Sequence, residues 1–416
     1  MEKYLYLKLD KQRKILQEDI KEITQKRLIE IYQQNIPKNI QERYEFELNI
    51  ILKNKYENIY ILLYLISNKV KEDNEIVLLS GTIGSSFIVY LLGITDIDPI
   101  KYNIPFEVSC GIDGHKKPDF ELVFSKRYLT KIKNYIECIL KEKNLLTDET
   151  SNETSLKLNL RRNEYIDMIL ELEKVTGVNP KTISFDDKET MKLIENADTL
   201  GVSEFNSSYV RKLIFETKPT TFEDLIIVNE ISRGTDVWYD NQEDLIKNGT
   251  ITLKEVIACR DDIMNNLIGQ GIEKEIAFYI TESVRKGKVR KNKEEKWKEY
   301  KEIMKNHNVP DWYIKTCEKI SFLFPRAHAI NYVMNSFRIA YYKVHYPKEF
   351  YKSYFNTKAS KNIDVTILNN KEELIKVINE LKEKLIINED KLLLDTEFLL
   401  NDFEVALEMN EKGIKI

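Results

Sequence analysis

The sequence is poor in the residues that break regular structure, with 13 glycines and 9 prolines in 416 residues. This scarcity excludes a collagen-like chain and, together with 42% hydrophobic residues, a disordered one. Positive charge is not in excess either, because the formal net charge is -4. The overall field therefore does not attract phosphate backbones, and any contact with nucleic acid must come from local basic patches.

Cysteines and long apolar stretches are also scarce. No CxxC or Cys/His metal spacing links the four cysteines, which are Cys110, Cys138, Cys259 and Cys317. We therefore expect neither a zinc site nor a disulfide framework. No apolar stretch reaches the ~18 residues of a membrane span, and the first residues lack the hydrophobic region of a signal peptide. These absences predict a cytoplasmic protein with no membrane partner.

What the sequence does contain is helical periodicity over most of its length. Three short apolar or alternating stretches are instead typical of strands: residues 76–79, 117–124 and 156–160. The pattern predicts an α+β, mostly α fold. The polar stretch from Thr147 to Thr154 is predicted to be a linker. We divide the chain into an N-terminal helical module (1–74), a module containing the strands (75–185), a large helical module (186–345) and a C-terminal helical extension (346–416).

A turn rich in glycine and serine follows the first predicted strand. Gly81, Gly84 and Ser85 lie in this turn, and a helical pattern begins at Phe87. Strand, turn and helix in this order form the usual layout of a phosphate-binding loop. Without further context the same residues also describe an ordinary turn.

Two acidic residues alternate in the second predicted strand. Asp119 and Glu121 are two positions apart, so both side chains are expected on one face. Paired carboxylates on one face are typical ligands of a divalent metal ion. Taken alone, such a pair is more often a solvent-facing part of a strand.

The motifs taken together resemble the α-subunit of bacterial DNA polymerase III of the PolC type. The resemblance rests on residues 81–87, 93–95, 117–121, 233–238, 248–250, 259–264, 282–288, 324–329 and 338–341, which follow the order and approximate spacing of that family. It extends from about residue 20 to the C-terminus.

The resemblance implies a reduced nucleotidyltransferase palm related to polymerase β, followed by a helical fingers domain. In this interpretation residues 75–185 are the palm, residues 186–345 the fingers, and residues 346–416 an extension of the fingers. The PHP, exonuclease and OB regions of the family have no counterpart here. Its zinc-binding insertion would lie between Pro99 and Pro105, and its thumb between Phe124 and Leu156, and both are missing.

The metal ligands of the family correspond to altered residues in this chain. Its Asp-x-Asp pair matches Asp119 and Glu121, and its third aspartate matches Asn159. The arginine that precedes its second glycine motif corresponds to Ser80. The resemblance thus implies Mg²⁺ as the cofactor if any activity survives, and no cofactor otherwise, with Asp119 and Glu121 as weakened metal ligands.

The residues that would meet nucleotide phosphates are better preserved. The resemblance assigns this role to Gly81, Gly84, Ser85, Arg285, Lys286, Lys288, Arg326 and His328. Two alternatives remain open: the basic run that begins at Arg285 also suits a solvated helix end, and His328 also suits a packed helix residue.

Three functional hypotheses follow from these residues. The first is a catalytically degenerate PolC-like protein whose fingers bind nucleotide, DNA or a replication protein. The second is a minimal, template-directed polymerase that uses Asp119, Glu121 and a further acid, Glu164 or Asp167. The third is a non-functional remnant, against which the regular helical patterns up to the C-terminus argue.

Overall fold

The structure, a computed structural model, describes residues 4–8, 19–33, 35–142, 155–359, 363, 366–387 and 393–416. The predicted α+β, mostly α fold is confirmed: one four-stranded sheet is accompanied by helices through the rest of the described chain. None of the described helices combines the length and the apolar character needed to cross a membrane. The linker predicted at residues 147–154 lies outside the described residues.

The sheet contains β1 (Tyr4–Lys8), β2 (Val77–Ser80), β3 (Phe120–Phe124) and β4 (Ser155–Arg162) in the spatial order β1-β4-β3-β2. The central strands β3 and β4 are parallel, and each edge strand is antiparallel to its neighbour. The three strands predicted from the sequence are confirmed. Strand β1 was not predicted, so the N-terminal module is not purely helical.

One face of the sheet is apolar. Leu79, Phe120, Leu122, Leu158 and Leu160 alternate with residues of the other face and belong to one buried core. Helices α3 (Glu57–Glu72) and α6 (Leu129–Glu142) contribute to the same core, for example through an edge-on contact between the rings of Tyr60 and Phe120, whose centroids are 6.1 Å apart. Burial of this face fixes the register, and the opposite face is left for polar side chains.

Contacts between Cα atoms divide the chain into two units, each built from two segments. The first comprises residues 1–163 and 233–331. Its remaining helices are α1 (Ile20–Tyr32), α2 (Lys38–Lys53), α4 (Phe87–Leu91), α5 (Glu107–Cys110), α11 (Glu243–Lys247), α12 (Arg260–Gly269), α13 (Lys274–Arg285), α14 (Trp297–Asn306), α15 (Asp311–Lys319) and the start of α16 (Arg326–His345).

The second unit comprises residues 164–232 and 332–416 and is helical where it is described. Phe185 stacks on Phe222, with ring centroids 4.4 Å apart, and the ring of Phe337 meets both edge-on. Besides the rest of α16, the unit contains α7 (Glu164–Thr176), α8 (Lys188–Glu195), α9 (Ser208–Thr217), α10 (Phe222–Arg233), α17 (Pro347–Thr357), α18 (Lys371–Ile387) and α19 (Leu393–Glu411).

These units follow spatial contacts and do not coincide with the functional modules proposed above. The first unit combines the strand-bearing residues of the predicted palm with residues 233–331 of the predicted fingers. The predicted module limits at residues 74, 185 and 345 therefore stay a prediction. The predicted metal ligands and phosphate-binding residues all fall within residues 1–163 or 233–331 and so lie in the first unit, whereas the alternative acids Glu164 and Asp167 belong to the second.

Candidate functional site

Three polar residues form a row across the sheet, next to the glycine turn. Ser80 in β2 is paired with Glu121 in β3, and Glu121 is paired with Asn159 in β4. Residues paired across neighbouring strands point to the same face, and here it is the face opposite the apolar core. The structure thus brings two of the three predicted metal positions, Glu121 and Asn159, side by side.

The polar row is nearly enclosed and carries little charge. Ser80 and Asn159 are 2% and 5% exposed, and neither Ser80 Oγ nor Asn159 Oδ1 has a hydrogen-bond partner among the described residues. Glu121 stands between these two neutral oxygens. Its Oε1 lies 3.4 Å from Nη1 of Arg161, so a cation from the chain itself already accompanies the one carboxylate of the row.

Asp119 lies just before β3, because the strand begins at Phe120 and not at Lys117 as predicted. Its backbone is held by the glycine turn: its N–H donates to Thr82 Oγ1 over 3.2 Å, and its carbonyl accepts from the N–H of Ile83 over 3.4 Å. Gly81 adopts a φ of +89°, and a Cβ there would lie 2.5 Å from the carbonyl oxygen of Asp119. The turn therefore requires glycine at position 81.

The donor set fits a pair of divalent ions poorly. Within the described residues, no group of three converging His, Cys, Asp or Glu side chains includes Asp119 or Glu121. The third position of the row offers the neutral amide of Asn159. Mg²⁺ is usually held by one or two carboxylates together with water and substrate phosphates, so two carboxylates and an amide offer a pair of ions less negative charge than three aspartates would.

His328 contacts the glycine turn, and its predicted role toward nucleotide stays a prediction. The N–H of Gly81 donates to His328 Nε2 over 2.7 Å. Burial, followed by the nearby charge of Arg260, lowers the pKa of His328 to about 3, so the ring is neutral and Nε2 accepts. One turn later in α16, Asn331 Nδ2 donates to the carbonyl of Leu79 over 2.8 Å. Helix α16 therefore fixes the end of β2.

A carboxylate from α2 occupies the start of α4, the helix after the glycine turn. Glu47 is fully buried and accepts from Ser86 Oγ over 2.7 Å and from the N–H groups of Phe87 and Ile88 over 3.0 and 3.2 Å. Arg43 Nε donates to the same carboxylate over 2.5 Å. The N-terminal dipole of α4 is thus satisfied internally, where a phosphate-binding loop would present it to a ligand.

The other predicted phosphate-binding residues of the turn are closely packed. Ser85 is fully buried, and its hydroxyl donates to the carbonyl of Thr82 over 3.0 Å. At Gly84 an added Cβ would lie 3.0 Å from the Cβ of Ala327 in α16. The strand, turn and helix layout is confirmed, whereas phosphate binding by Gly81, Gly84 and Ser85 stays a prediction.

Cations gather at a second place in the first unit. Burial and then the charge of Arg260 lower the pKa of Lys116 to about 8, with Arg285 and Lys286 adding to the effect and Glu282 opposing it. Such shifts require the charges to lie near one another. We call Lys116, Arg260, Arg285 and Lys286 the basic cluster.

Two carboxylates accompany the basic cluster. Glu282 accepts from Arg285 Nη2 over 2.8 Å and lies 2.8 Å from Lys286 Nζ. Burial alone would raise the pKa of Glu282, but these cations lower it to about 2. Arg260 is 2% exposed and pairs with Asp261 over 3.8 Å. Cations outnumber carboxylates among these six side chains, so the cluster suits an anion.

The last two predicted fingers residues do not join this cluster. Lys288 is exposed. Arg326 Nη2 donates to Asp262 Oδ1 over 2.5 Å, and its backbone N–H donates to Asp261 Oδ2 over 3.1 Å. Sequence reasoning did not assign Arg260, Lys116 or Glu47 to the site. Arg260 lies in residues 259–264, one of the motifs that carry the family resemblance, whereas no motif pointed to Lys116 or Glu47.

Comparisons with known proteins give one consistent answer. Residues 18–204 match the family described as the bacterial DNA polymerase III alpha NTPase domain, and residues 163–308 match the bacterial DNA polymerase III alpha subunit finger domain. The two matches overlap at residues 163–204 and together cover both the polar row and the basic cluster.

Curated relatives agree with both family matches. The chain is 31% identical to DNA polymerase III PolC-type of Caldanaerobacter subterraneus subsp. tengcongensis, over 96% of this chain and 38% of the relative. It is 28% identical to the protein of that name from Pediococcus pentosaceus and 29% identical to that from Bacillus subtilis, over 95% of this chain and 37% of each relative.

The chain spans less than two fifths of the length of these relatives. The first alignment runs over 540 residues although this chain has 416, so the relative also contains stretches without a counterpart here. Two family matches, and similarity to a PolC-type protein over 96% of this chain, identify the chain: it belongs to the family of bacterial DNA polymerase III α-subunits of the PolC type.

Proposed function

We propose that this chain is a catalytically degenerate PolC homologue whose basic cluster still binds nucleotide or DNA, or presents the fingers to a replication protein. The polar row carries the proposal, because it pairs Glu121 with Asn159 where the family resemblance expects two aspartates. We also propose that the protein is located in the cytoplasm. Since the chain spans only part of its relatives, their activity and partners enter here as proposals.

Phosphoryl transfer by such a palm depends on divalent ions, normally Mg²⁺, that activate the attacking hydroxyl and stabilise the leaving group. Asp119 and Glu121 are the carboxylates available for such ions in the predicted set. The amide of Asn159 adds no negative charge, and Arg161 adds a positive one. In this arrangement the palm supplies a framework and no competent metal centre.

The basic cluster supports the retained binding role. Charge-assisted contacts of Arg and Lys to phosphate are the main source of affinity for nucleotides and DNA. Lys286 is exposed and Lys116 and Arg285 are partly exposed, so these three groups can meet a ligand, whereas the buried Arg260 only adds positive charge nearby. A triphosphate or a strand backbone is the ligand class that these groups match.

The minimal polymerase is the competing candidate, and one pair of assays separates the two. We expect a fluorescent dNTP or a primed template to bind, and we expect no primer extension with Mg²⁺ or Mn²⁺. Robust template-directed incorporation would overturn the proposed degeneracy. Absence of any nucleotide or DNA binding by the folded protein would overturn the retained role, and failure to detect folded protein in cells would favour a remnant.

Substitution of the fingers lysines tests where the ligand binds. The double change Lys286→Ala with Lys288→Ala should weaken binding at least about ten-fold, because each lost charge-assisted contact contributes roughly 1.5–3 kcal/mol. Asp119→Ala should leave the affinity nearly unchanged. Lys298→Ala, on the exposed side of α14, is the matched control. The opposite result would place the ligand at the palm: unchanged affinity in the lysine variants, together with Mg²⁺-dependent binding that is lost in Asp119→Ala.

The pH dependence of binding tests the half-buried lysine. Lys116 has a pKa of about 8, so it carries its charge below that pH and loses it above. A phosphate favours the charged form. Affinity should therefore fall about ten-fold as the pH rises from about 7 to about 9.5. Lys116→Met should remove this dependence, whereas Lys117→Met, its exposed neighbour, should retain it. An unchanged profile in Lys116→Met would exclude Lys116 from the site.

A further inference from the structure

A cation of this chain, Arg161, lies beside the polar row. Arg161 lies two residues beyond Asn159 in β4, so both side chains are on the same face of the sheet. Glu121 and Arg161 are 15% and 43% exposed in their side chains, and their charged atoms approach to 3.4 Å. The guanidinium therefore covers the Glu121 carboxylate from the solvent side.

The neighbours of Glu121 do not restore the lost negative charge. Ser80 Oγ and Asn159 Oδ1 are buried, uncharged and without a hydrogen-bond partner among the described residues. A divalent ion seated at Glu121 would contact these neutral oxygens on both sides and would lie close to the positive charge of Arg161. Like charges at such separations repel, and the partial burial of Glu121 weakens the screening by solvent. The polar row thus disfavours a metal ion for two reasons: it offers a single carboxylate, and the positive charge of Arg161 lies beside that carboxylate.

We infer that Arg161 supplies from within the chain the positive charge that Glu121 would otherwise take from a divalent ion, so that this face of the sheet is independent of metal. The inference rests on the proposed function, since it explains how a palm with an altered ligand set remains electrostatically balanced. Loss of the arginine, and not a change at Glu121, would then be the step that readmits a metal ion.

The test measures Mn²⁺ binding to the full chain by electron paramagnetic resonance. Wild type should show no Mn²⁺ signal that depends on Glu121. Arg161→Gln should create one, and Arg161→Gln with Asn159→Asp should tighten it about ten-fold, because a carboxylate replaces a neutral ligand. Adding Glu121→Gln to either variant should abolish the new signal.

Two controls separate charge from structure. Arg161→Lys keeps the positive charge and should still exclude Mn²⁺. Arg162→Gln removes the next arginine, which points to the other face of β4, and should behave as wild type. Circular dichroism confirms that each variant is folded before binding is compared.

Either of two results would overturn the inference: Mn²⁺ binding by wild type that disappears in Glu121→Gln, or no added binding in the folded Arg161→Gln protein. Neither result depends on catalysis. Primer extension by wild type would refute the proposed degeneracy by a separate measurement, so the two failures can be told apart.

Discussion

Replacing Glu47 by alanine is expected to destabilise the first unit by about 3–5 kcal/mol, the usual cost of breaking a buried ion pair by removing one partner. The carboxylate is fully buried and accepts from Ser86 and from the N–H groups of Phe87 and Ile88. Its loss would leave those donors and Nε of Arg43 without this acceptor, although Nη2 of Arg43 keeps the carbonyls of Ser85 and Ile104. We expect the start of α4 and the adjoining glycine turn to lose their fixed geometry.

Urea unfolding followed by tryptophan fluorescence measures this effect selectively. All three tryptophans, Trp238, Trp297 and Trp312, lie in residues 233–331 and therefore report on the first unit. Glu45→Ala is the matched control, since Glu45 is an exposed residue of the same helix, and we expect a change within about 0.5 kcal/mol. Equal midpoints for the two variants would show that Glu47 does not stabilise α4.

Gly81→Ala should have the second large effect, because two costs add at this position. The φ of +89° with a ψ of 172° is a combination found almost only in glycine, and it costs about 1–3 kcal/mol for a residue with a Cβ. The new Cβ would also lie 2.5 Å from the carbonyl oxygen of Asp119, and overpacking of this kind costs about 1–3 kcal/mol more. Relief of the clash would shift the backbone of Asp119 away from the turn.

Gly249→Ala is the control, because alanine there has a positive φ but meets no steric clash. Gly249 has a φ of +74°, but a Cβ there would meet no atom within 4 Å. This control should therefore lose only the roughly 1–2 kcal/mol of the backbone term. The same urea titration compares the two variants, and a Gly81→Ala protein no less stable than Gly249→Ala would mean that the turn accommodates a side chain.

Local sequence patterns were sufficient to predict much of this fold. Alternation and helical periodicity identified β2, β3 and β4 and the mostly α character, because these elements bury one face over a single stretch of chain. The glycine turn was recognisable for the same reason. Strand β1 escaped prediction although its sequence alternates, since a five-residue edge strand is defined mainly by its partner β4.

The site was predictable in position and less so in its contacts. Family resemblance located Glu121 and Asn159, which the structure places in register. It could not indicate that Arg161 would pair with Glu121 or that Glu47 would cap α4, because these contacts join residues about 40 positions apart. His328 was assigned to nucleotide on its motif, whereas in the structure its Nε2 accepts from the turn.

The hydrogen bonds from α16 to the end of β2 have a consequence for synthesis of the chain. His328 and Gly81 are 247 residues apart, and Asn331 and Leu79 are 252 residues apart. During translation, β2 and its turn leave the ribosome long before the helix that completes them. Contacts this distant in sequence form slowly. The pairing of β2 with β3 is available early in synthesis, whereas the glycine turn gains its two hydrogen bonds from α16 only after nearly 250 further residues have been made.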